Sequence, residues 1–287
     1  MDPRIVETLA PEVAAAVRAA AEDVRRHDGV AALSEQTLLH LDAPAGEHRH
    51  VLAVDGDQLV GYAHLDHTGV EPGVEILVVP SHRRRGVATS LWSRVTSLAP
   101  TARVWAHGDL AEARGWAGAT GLVVVRELLQ MARPLAGLAD VGVDLPPGYG
   151  VRTFTPADID AWVRINGRAF ADHPEQGRVT ADDVRARMRE DWFDPEGFFL
   201  VDGPDSLAAF HWTKTADGEG EVYVVGVDPD QQGKGLGKAA TLLGLRHLAR
   251  RGLPRVTLYV DGDNTAALAT YERLGFERSA IDVMYGS

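Results

Sequence analysis

Apolar and polar positions along this chain follow two periods, and the order of the periods repeats. Residues 11–27 (PEVAAAVRAAAEDVRRH) place Val13, Val17 and Val24 on one side of an alanine-rich helix. Ala-Gly and Asp-Gly turns bound two strand-like runs, His50–Gly56 and Leu59–Asp66. The stretch VEILVVPSHRRRGVATSLWSRV then reads as strand, proline, basic turn, glycine and helix. Arg103–His107 predicts a short strand, Asp109–Thr120 a helix stopped by Gly121, and Leu122–Met131 the last strands. Residues 134–148 are rich in Pro and Gly and read as a linker.

A second series begins at Tyr149. It runs through a strand (VRTF), a helix over 156–170 with Pro in its first turn, and a loop (ADHPEQGR). Thr180 with Asp183 predicts a capped helix, and GFFLVDG and SLAAFHWTK a strand pair. Val222, Tyr223, Val224, Val225 and Val227 form an apolar run that breaks at Asp228-Pro229, before a glycine-rich turn and a helix to Arg250. RVTLYVDGDN is a strand ending in a turn, Asn264 an N-cap, Gly275 a stop, and FERSAIDVMY the strand that closes the sheet. Pro80 and Pro229 lie 149 positions apart, as do Gly86 and Gly235. A repeat this long means two copies of a domain. The expected fold is α/β: two tandem domains over 1–138 and 149–287, each a mixed, mostly antiparallel sheet flanked by helices.

A strand feeding a glycine-rich turn that opens a helix gathers backbone N–H groups round an anion, and the helix dipole adds to them. The pattern is Q-x-x-G-x-G (Gln232, Gly235, Gly237), and earlier R-x-x-G-x-A (Arg83, Gly86, Ala88). It is neither GxGxxG nor GxxxxGK[ST], which points away from dinucleotide and triphosphate loops. It resembles the signature of the GNAT superfamily of acyl-CoA-dependent N-acyltransferases. That resemblance implies a grip on the pyrophosphate of coenzyme A.

The formal charge of −12 disfavours nucleic acid and suits a substrate bearing an amine. The chain has no cysteine, hence no disulfide and no thiolate nucleophile. The histidines show no metal-ligand spacing, so no metal is expected. No signal peptide or membrane span is legible at the N-terminus, and a cytoplasmic, monomeric enzyme is the expectation.

Amide formation from a thioester needs a grip on coenzyme A, an oxyanion donor, a base and an acid. Gly233 to Lys238 would supply N–H donors, with charge from Lys234 and Lys238. The N–H groups of Val225, Gly226 and Val227 are candidates for the oxyanion, and the glycine suggests a bulge or close approach there. Glu221 heads the strand and is the candidate base, since alternation would put 221, 223 and 225 on one face. For the acid, the resemblance points to Tyr271, which at an ordinary pKa of roughly 10 stays protonated at neutral pH. Counting from the aligned prolines sets Glu221 against Pro72, and counting from the glycines sets Tyr271 against Ala117. The first copy would therefore bind acetyl-CoA without catalysing transfer.

A narrower resemblance spans nearly the whole chain. VAALSEQTLLHL, VWAHGDLAEA, RELLQMARPL, AFADHPEQGRVT, WFDPEGFFL, FHWTKT and LYVDGDNTAALATYERLGF resemble the mycothiol synthase (mycothiol acetyltransferase) family, tandem GNAT enzymes of actinobacteria. It implies acetyl transfer from acetyl-CoA to the cysteinyl amine of a cysteine–glucosamine–inositol pseudo-disaccharide, the last step of mycothiol biosynthesis. By the same resemblance Glu35, Glu175, Lys214, Glu221 and Tyr259 contact the acceptor. Acetyl-CoA would lie on Val225, Gly226, Val227, Gln232, Gly233, Lys234, Gly235, Leu236, Gly237 and Lys238. It would also touch Asn264, Thr265, Ala266, Ala267, Leu268 and Ala269. In the first copy it would lie on Ile76, Leu77, Val78, Arg84, Arg85, Gly86, Val87, Ala88 and Thr89. The alternative is a tandem GNAT enzyme acting on another small amine or a peptide N-terminus.

Overall fold

The computed structural model describes residues 2–68, 71–171, 173, 176–216 and 218–287. It divides into two compact units: unit 1, residues 1–128 with 280–287, and unit 2, residues 129–279. No helix among the described residues is long and apolar enough to cross a membrane.

Unit 1 opens with β1 (Arg4–Val6), α1 (Pro11–Asp28) and α2 (Glu35–His40), a short helix that the hydrophobic pattern did not disclose. Its N-cap Ser34 accepts a bond from the Thr37 N–H. β2 (His48–Asp55), β3 (Gln58–Asp66), β4 (Gly73–Val78), α3 (Val87–Leu98), β5 (Arg103–His107) and α4 (Ala111–Thr120) follow. β1 to β4 pair antiparallel in chain order, and β4 pairs β5 in parallel. A Cβ on Gly61 would press on Val87 and Leu91 of α3, while the neighbouring His64 bonds to Thr37 of α2. Odd and even positions of β3 face opposite ways, so α3 and α2 cover opposite faces.

β6 (Val123–Pro134) carries the chain into unit 2. There follow β7 (Gly150–Thr153), α5 (Ile159–Ala169), α6 (Ala181–Arg187), β8 (Phe198–Asp202), β9 (Leu207–Ala216) and β10 (Glu219–Val227). α7 (Leu236–Arg250), β11 (Arg255–Asp261), α8 (Thr265–Arg273) and β12 (Glu277–Gly286) complete the chain. In unit 2 the strand order is β6, β11, β10, β9, β8, β7. Trp162, Phe198, Phe210 and Trp212 form an aromatic core under α5. His211, on the other face of β9, meets the Ala240 carbonyl of α7 at 2.8 Å. A side chain at Gly244 would collide with that buried ring, which is why α7 carries glycine there.

Two features differ from the hydrophobic pattern. The closing strand does not end in the second half: Asp282–Tyr285 of β12 pair with β5, and residues 280–287 belong to unit 1. The end of β6, with buried Leu129 and Met131, belongs to unit 2. The Pro/Gly-rich segment also lies in unit 2, where Val143, Leu145 and Tyr149 pack on its core. Alternation marks a strand's two faces but not its neighbours, so pairing was invisible to it.

Candidate active site

Each unit contains a parallel strand pair that comes apart. In unit 2, β10 pairs β11 at Gly220 and Glu221, whereas its antiparallel pairing with β9 continues to Val227. In unit 1, β4 pairs β5 from Gly73 to Glu75, while its pairing with β3 continues to Val78. Val225–Val227 and Ile76–Val78 lie beyond the last parallel pairs of their strands.

A β-bulge between Val222 and Val224 changes the expected facing. Cross-strand partners share a face. Glu221 stands opposite Lys214 and Val224 opposite Trp212, so Glu221, Tyr223 and Val224 lie on the α5–α6 face. Val225 instead packs with the α7 core, so 221, 223 and 225 do not share a face. The extra residue shifts the alternation by one. Gly226 is not the bulge; a Cβ there would strike the Phe210 ring. Thr257 pairs with Glu221, which puts Tyr259, two residues on, on that same face. Register thus brings Lys214, Glu221 and Tyr259 together. Lys214 sits over the Trp192 and Tyr223 rings at 5.2 and 5.9 Å, and the Gln130 amide donates to the Tyr259 hydroxyl at 2.9 Å. Glu35 is the first residue of α2 in unit 1. Glu175 lies outside the described residues.

Both glycine turns take left-handed backbone. Gly233 (φ 77°) and Gly235 (φ 79°) precede α7; Arg84 (φ 60°) and Gly86 (φ 81°) precede α3. Neither Gly86 nor Gly235 offers a side-chain cap, so the first N–H groups of both helices are not taken up by one. Ala88 in place of Gly237 costs nothing, since a Cβ at Gly237 would make ordinary contact with Val227. Lys234 turns to Gln231 (2.7 Å) and Tyr149 (3.2 Å), while Lys238 and Gln232 are exposed. Leu236, Leu268, Leu77 and Val87 are buried in the core and can offer a ligand only backbone. The Asn264 side chain accepts from the Ala267 N–H and caps α8; Thr265 and Ala266 are exposed, and Ala267 and Ala269 half-buried.

Unit 1 holds a cleft of about 800 Å³. Ile76, Leu77, Val78, Arg84, Gly86, Val87, Ala88 and Thr89 line it, as the sequence leads one to expect; Arg85 is exposed and does not. Its other walls are Trp105, His107, Trp116 and Tyr285, together with the end of α1. Arg83, first residue of the R-x-x-G-x-A turn, is tied to Asp28 by two bonds of 2.8 and 2.7 Å. His107 lies between Glu75 (3.4 Å) and Asp282 (3.2 Å). Burial alone would push its imidazolium down, but hydrogen bonding to Asp282 and Glu75 more than offsets this and holds it at about 9. Sequence reading missed this trio because Asp282 arrives from 175 residues away.

The positions at which the sequence leads one to expect proton-transfer groups are filled differently in the two units. Tyr271 is buried on α8 against Phe276, and burial pushes its phenol up to about 12. Both α4 and α8 end near left-handed glycines, Gly121 and Gly275, and the residue matching Tyr271 is the fully buried Ala117. Matching the strand registers through the bulge sets Glu221 against Gly73, not Pro72. Among the described residues no group of three or more His, Asp or Glu side chains is placed to hold a metal.

Comparison with known proteins decides the family. The acetyltransferase (GNAT) family pattern matches residues 15–115 and 162–276. A mycothiol acetyltransferase of Thermomonospora curvata is 52% identical over 100% of this chain and 94% of its own length. One from Streptomyces coelicolor is 49% identical, covering 99% of this chain and 95% of its own. The chain belongs to the mycothiol acetyltransferase family, a tandem branch of the GNAT enzymes. Members of this family are acetyl-CoA-dependent N-acetyltransferases, and so is this chain. Among solved structures, a tandem GNAT protein from the clavulanic acid pathway matches with a TM-score of 0.73 at 18% identity, covering 100% of this chain and 98% of its own. A GNAT protein from Sphaerobacter thermophilus gives 0.74 at 24%, covering 99% and 95%. These two likenesses bear on the fold of the mycothiol acetyltransferase family, two GNAT repeats in one chain.

Proposed function

We propose that the chain transfers the acetyl group of acetyl-CoA to the cysteinyl amine of Cys-GlcN-inositol, giving mycothiol and coenzyme A. The observation that carries this reading is the shared face of Lys214, Glu221 and Tyr259, at the point where β10 leaves β11. A carboxylate there suits an ammonium, and a lysine and a phenol suit the hydroxyls of a sugar.

The chemistry belongs to unit 2. Glu221 takes the proton from the acceptor ammonium. The freed amine attacks the thioester carbonyl carbon, whose oxygen is met by the N–H groups of Val225–Val227. The C–S bond breaks with its electron pair going to sulfur, Tyr271 gives its proton to the thiolate, and the second proton of the acetylated nitrogen is lost and restores the Tyr271 phenol. A phenol pushed up to about 12 remains protonated across the neutral range, as this step needs. The α7 N-terminus and its glycine turn hold the pyrophosphate. Unit 1 binds acetyl-CoA in its cleft and lacks both proton-transfer groups.

Thiol release with the pseudo-disaccharide and a panel of other amines tests the acceptor. Glu221→Gln and Tyr271→Phe are each expected to lower turnover by about a hundredfold or more. Equal turnover of unrelated amines would remove the acceptor assignment; unchanged rates in both variants would remove the mechanism.

A further inference from the structure

The turn between β5 and α4 borders the unit 1 cleft through His107 and Leu110, and no side chain at its N-cap closes the helix. Leu110 stands at the N-cap of α4 and offers no side-chain bond, whereas Asn264 caps the matching helix α8. Gly108 (φ 71°) and Asp109 (φ 41°) are both left-handed, and such backbone in a residue with a side chain persists only where its surroundings hold it. What holds it comes from β12. One Asp282 carboxylate oxygen accepts the Gly108 N–H at 2.9 Å, and the other lies 3.2 Å from His107 Nδ1. The Tyr285 hydroxyl donates to Asp109 Oδ1 at 2.6 Å. From the opposite side Glu75, which accepts the Ser34 N–H at 2.8 Å, lies 3.4 Å from His107 Nε2. His107 and Tyr285 both line the cleft.

We propose that the last eight residues are a working part of the N-terminal acyl-CoA cleft, with Asp282 and Tyr285 as positioning residues that set the turn carrying its lining residues His107 and Leu110 for the acyl thioester. The proposal rests on the reading that unit 1 holds acyl-CoA. Its chemical sense is preorganisation: a wall already fixed in the bound shape costs the ligand no ordering. The brace is also charge-dependent. The titratable groups acting on His107 are Glu75 of β4 and Asp282 of β12, with the Trp105 ring stacked at 6.4 Å. Because the folded imidazolium lies above its ordinary 6.5, at about 9, its contribution is complete below 6.5 and is lost as pH rises through 9.

The test uses the full chain, acetyl-CoA as the probe, and titration calorimetry alongside the fluorescence of Trp105 and Trp116, which line the cleft. Wild type is expected to take two acetyl-CoA per chain, one of them reported by the tryptophans. Asp282→Asn keeps the shape and removes the charge. It should weaken the tryptophan-reported site by about tenfold and move its alkaline loss to lower pH. Tyr285→Phe keeps the ring and should weaken the same site without moving that pH. Should Asp282→Asn lose its fold, seen as a large fall in Tm, Tyr285→Phe decides alone. Wild-type affinity and pH profile in both variants would overturn the brace. A wild type whose tryptophans do not respond to acetyl-CoA would overturn the reading of unit 1 itself, and the brace with it.

Discussion

The two glycine turns have the same left-handed backbone and different residues. Gly233 supplies the left-handed position ahead of α7; Arg84 occupies the matching place ahead of α3 at φ 60°. A left-handed arginine costs roughly 1–2 kcal/mol that glycine does not. The turn geometry is thus held by the scaffold in both units, while the side chain reflects its use. In unit 1 that use is a guanidinium in the cleft wall. The same division runs through the rest of the site. Glu221 and Tyr271 in unit 2 correspond to Gly73 and Ala117 in unit 1, which carry no proton-transfer group. His107 on β5 corresponds to Asp261 on β11, which pairs with His173 at 3.6 Å. On the function proposed above, one unit would arrange its charges to move protons and the other to hold a wall in place.

The largest expected effect breaks the comparison by separating the halves. Residues 1–138 lack Asp282, Val283 and Tyr285, and residues 149–287 lack the buried Leu129 and Met131. Neither fragment is expected to give a cooperative melt in calorimetry. A 1–138 fragment that melted cooperatively and bound acetyl-CoA would show that β12 is dispensable to unit 1.

A smaller difference is expected in acid. Burial, joined by neighbouring imidazoles, pushes His50 and His64 of unit 1 down to about 4. In unit 2, burial does the same to His211. A histidine lowered on folding contributes fully above 6.5, and its contribution is lost as pH falls towards 4. Unit 1 should therefore lose protection first over that window, read by hydrogen exchange on peptides from each unit. Earlier opening of α7 and β9 would contradict this.

The smallest effect sharpens the contrast between the turns. Gly233→Ala should destabilise unit 2 by about 1 kcal/mol, because it places a Cβ on left-handed backbone. Arg84→Gly should stabilise unit 1 by up to about 1 kcal/mol, because it takes a side chain off left-handed backbone, while weakening acetyl-CoA binding there. Denaturant melts with ligand titrations would measure both; equal losses of stability would mean the two turns are not equivalent.

Much of this was legible in the chain. Strands, helices and stops fell where apolar period, caps and glycines put them: Asn264 caps α8, and Gly121 and Gly275 are left-handed at the helix ends. The repeat and the left-handed glycine turns were readable because glycine spacing is a local requirement of tight backbone. What was missed is non-local. α2 is a single short helix whose hold on the sheet runs through His40, His64 and Thr37, at distances of 3.0 and 3.1 Å. The bulge in β10 leaves no mark in a run of valines, yet it moves Val225 to the other face.

By itself the amino-acid order determined the two repeats, the elements in each, the glycine turns and the family. These follow from periodicity and backbone sterics acting over a few residues. Only the folded chain decided that β12 ends in unit 1, that Asp282 and Glu75 hold His107, and that Lys214, Glu221 and Tyr259 share a face. Those facts depend on strand partners and on burial, which are set by packing between segments far apart in sequence.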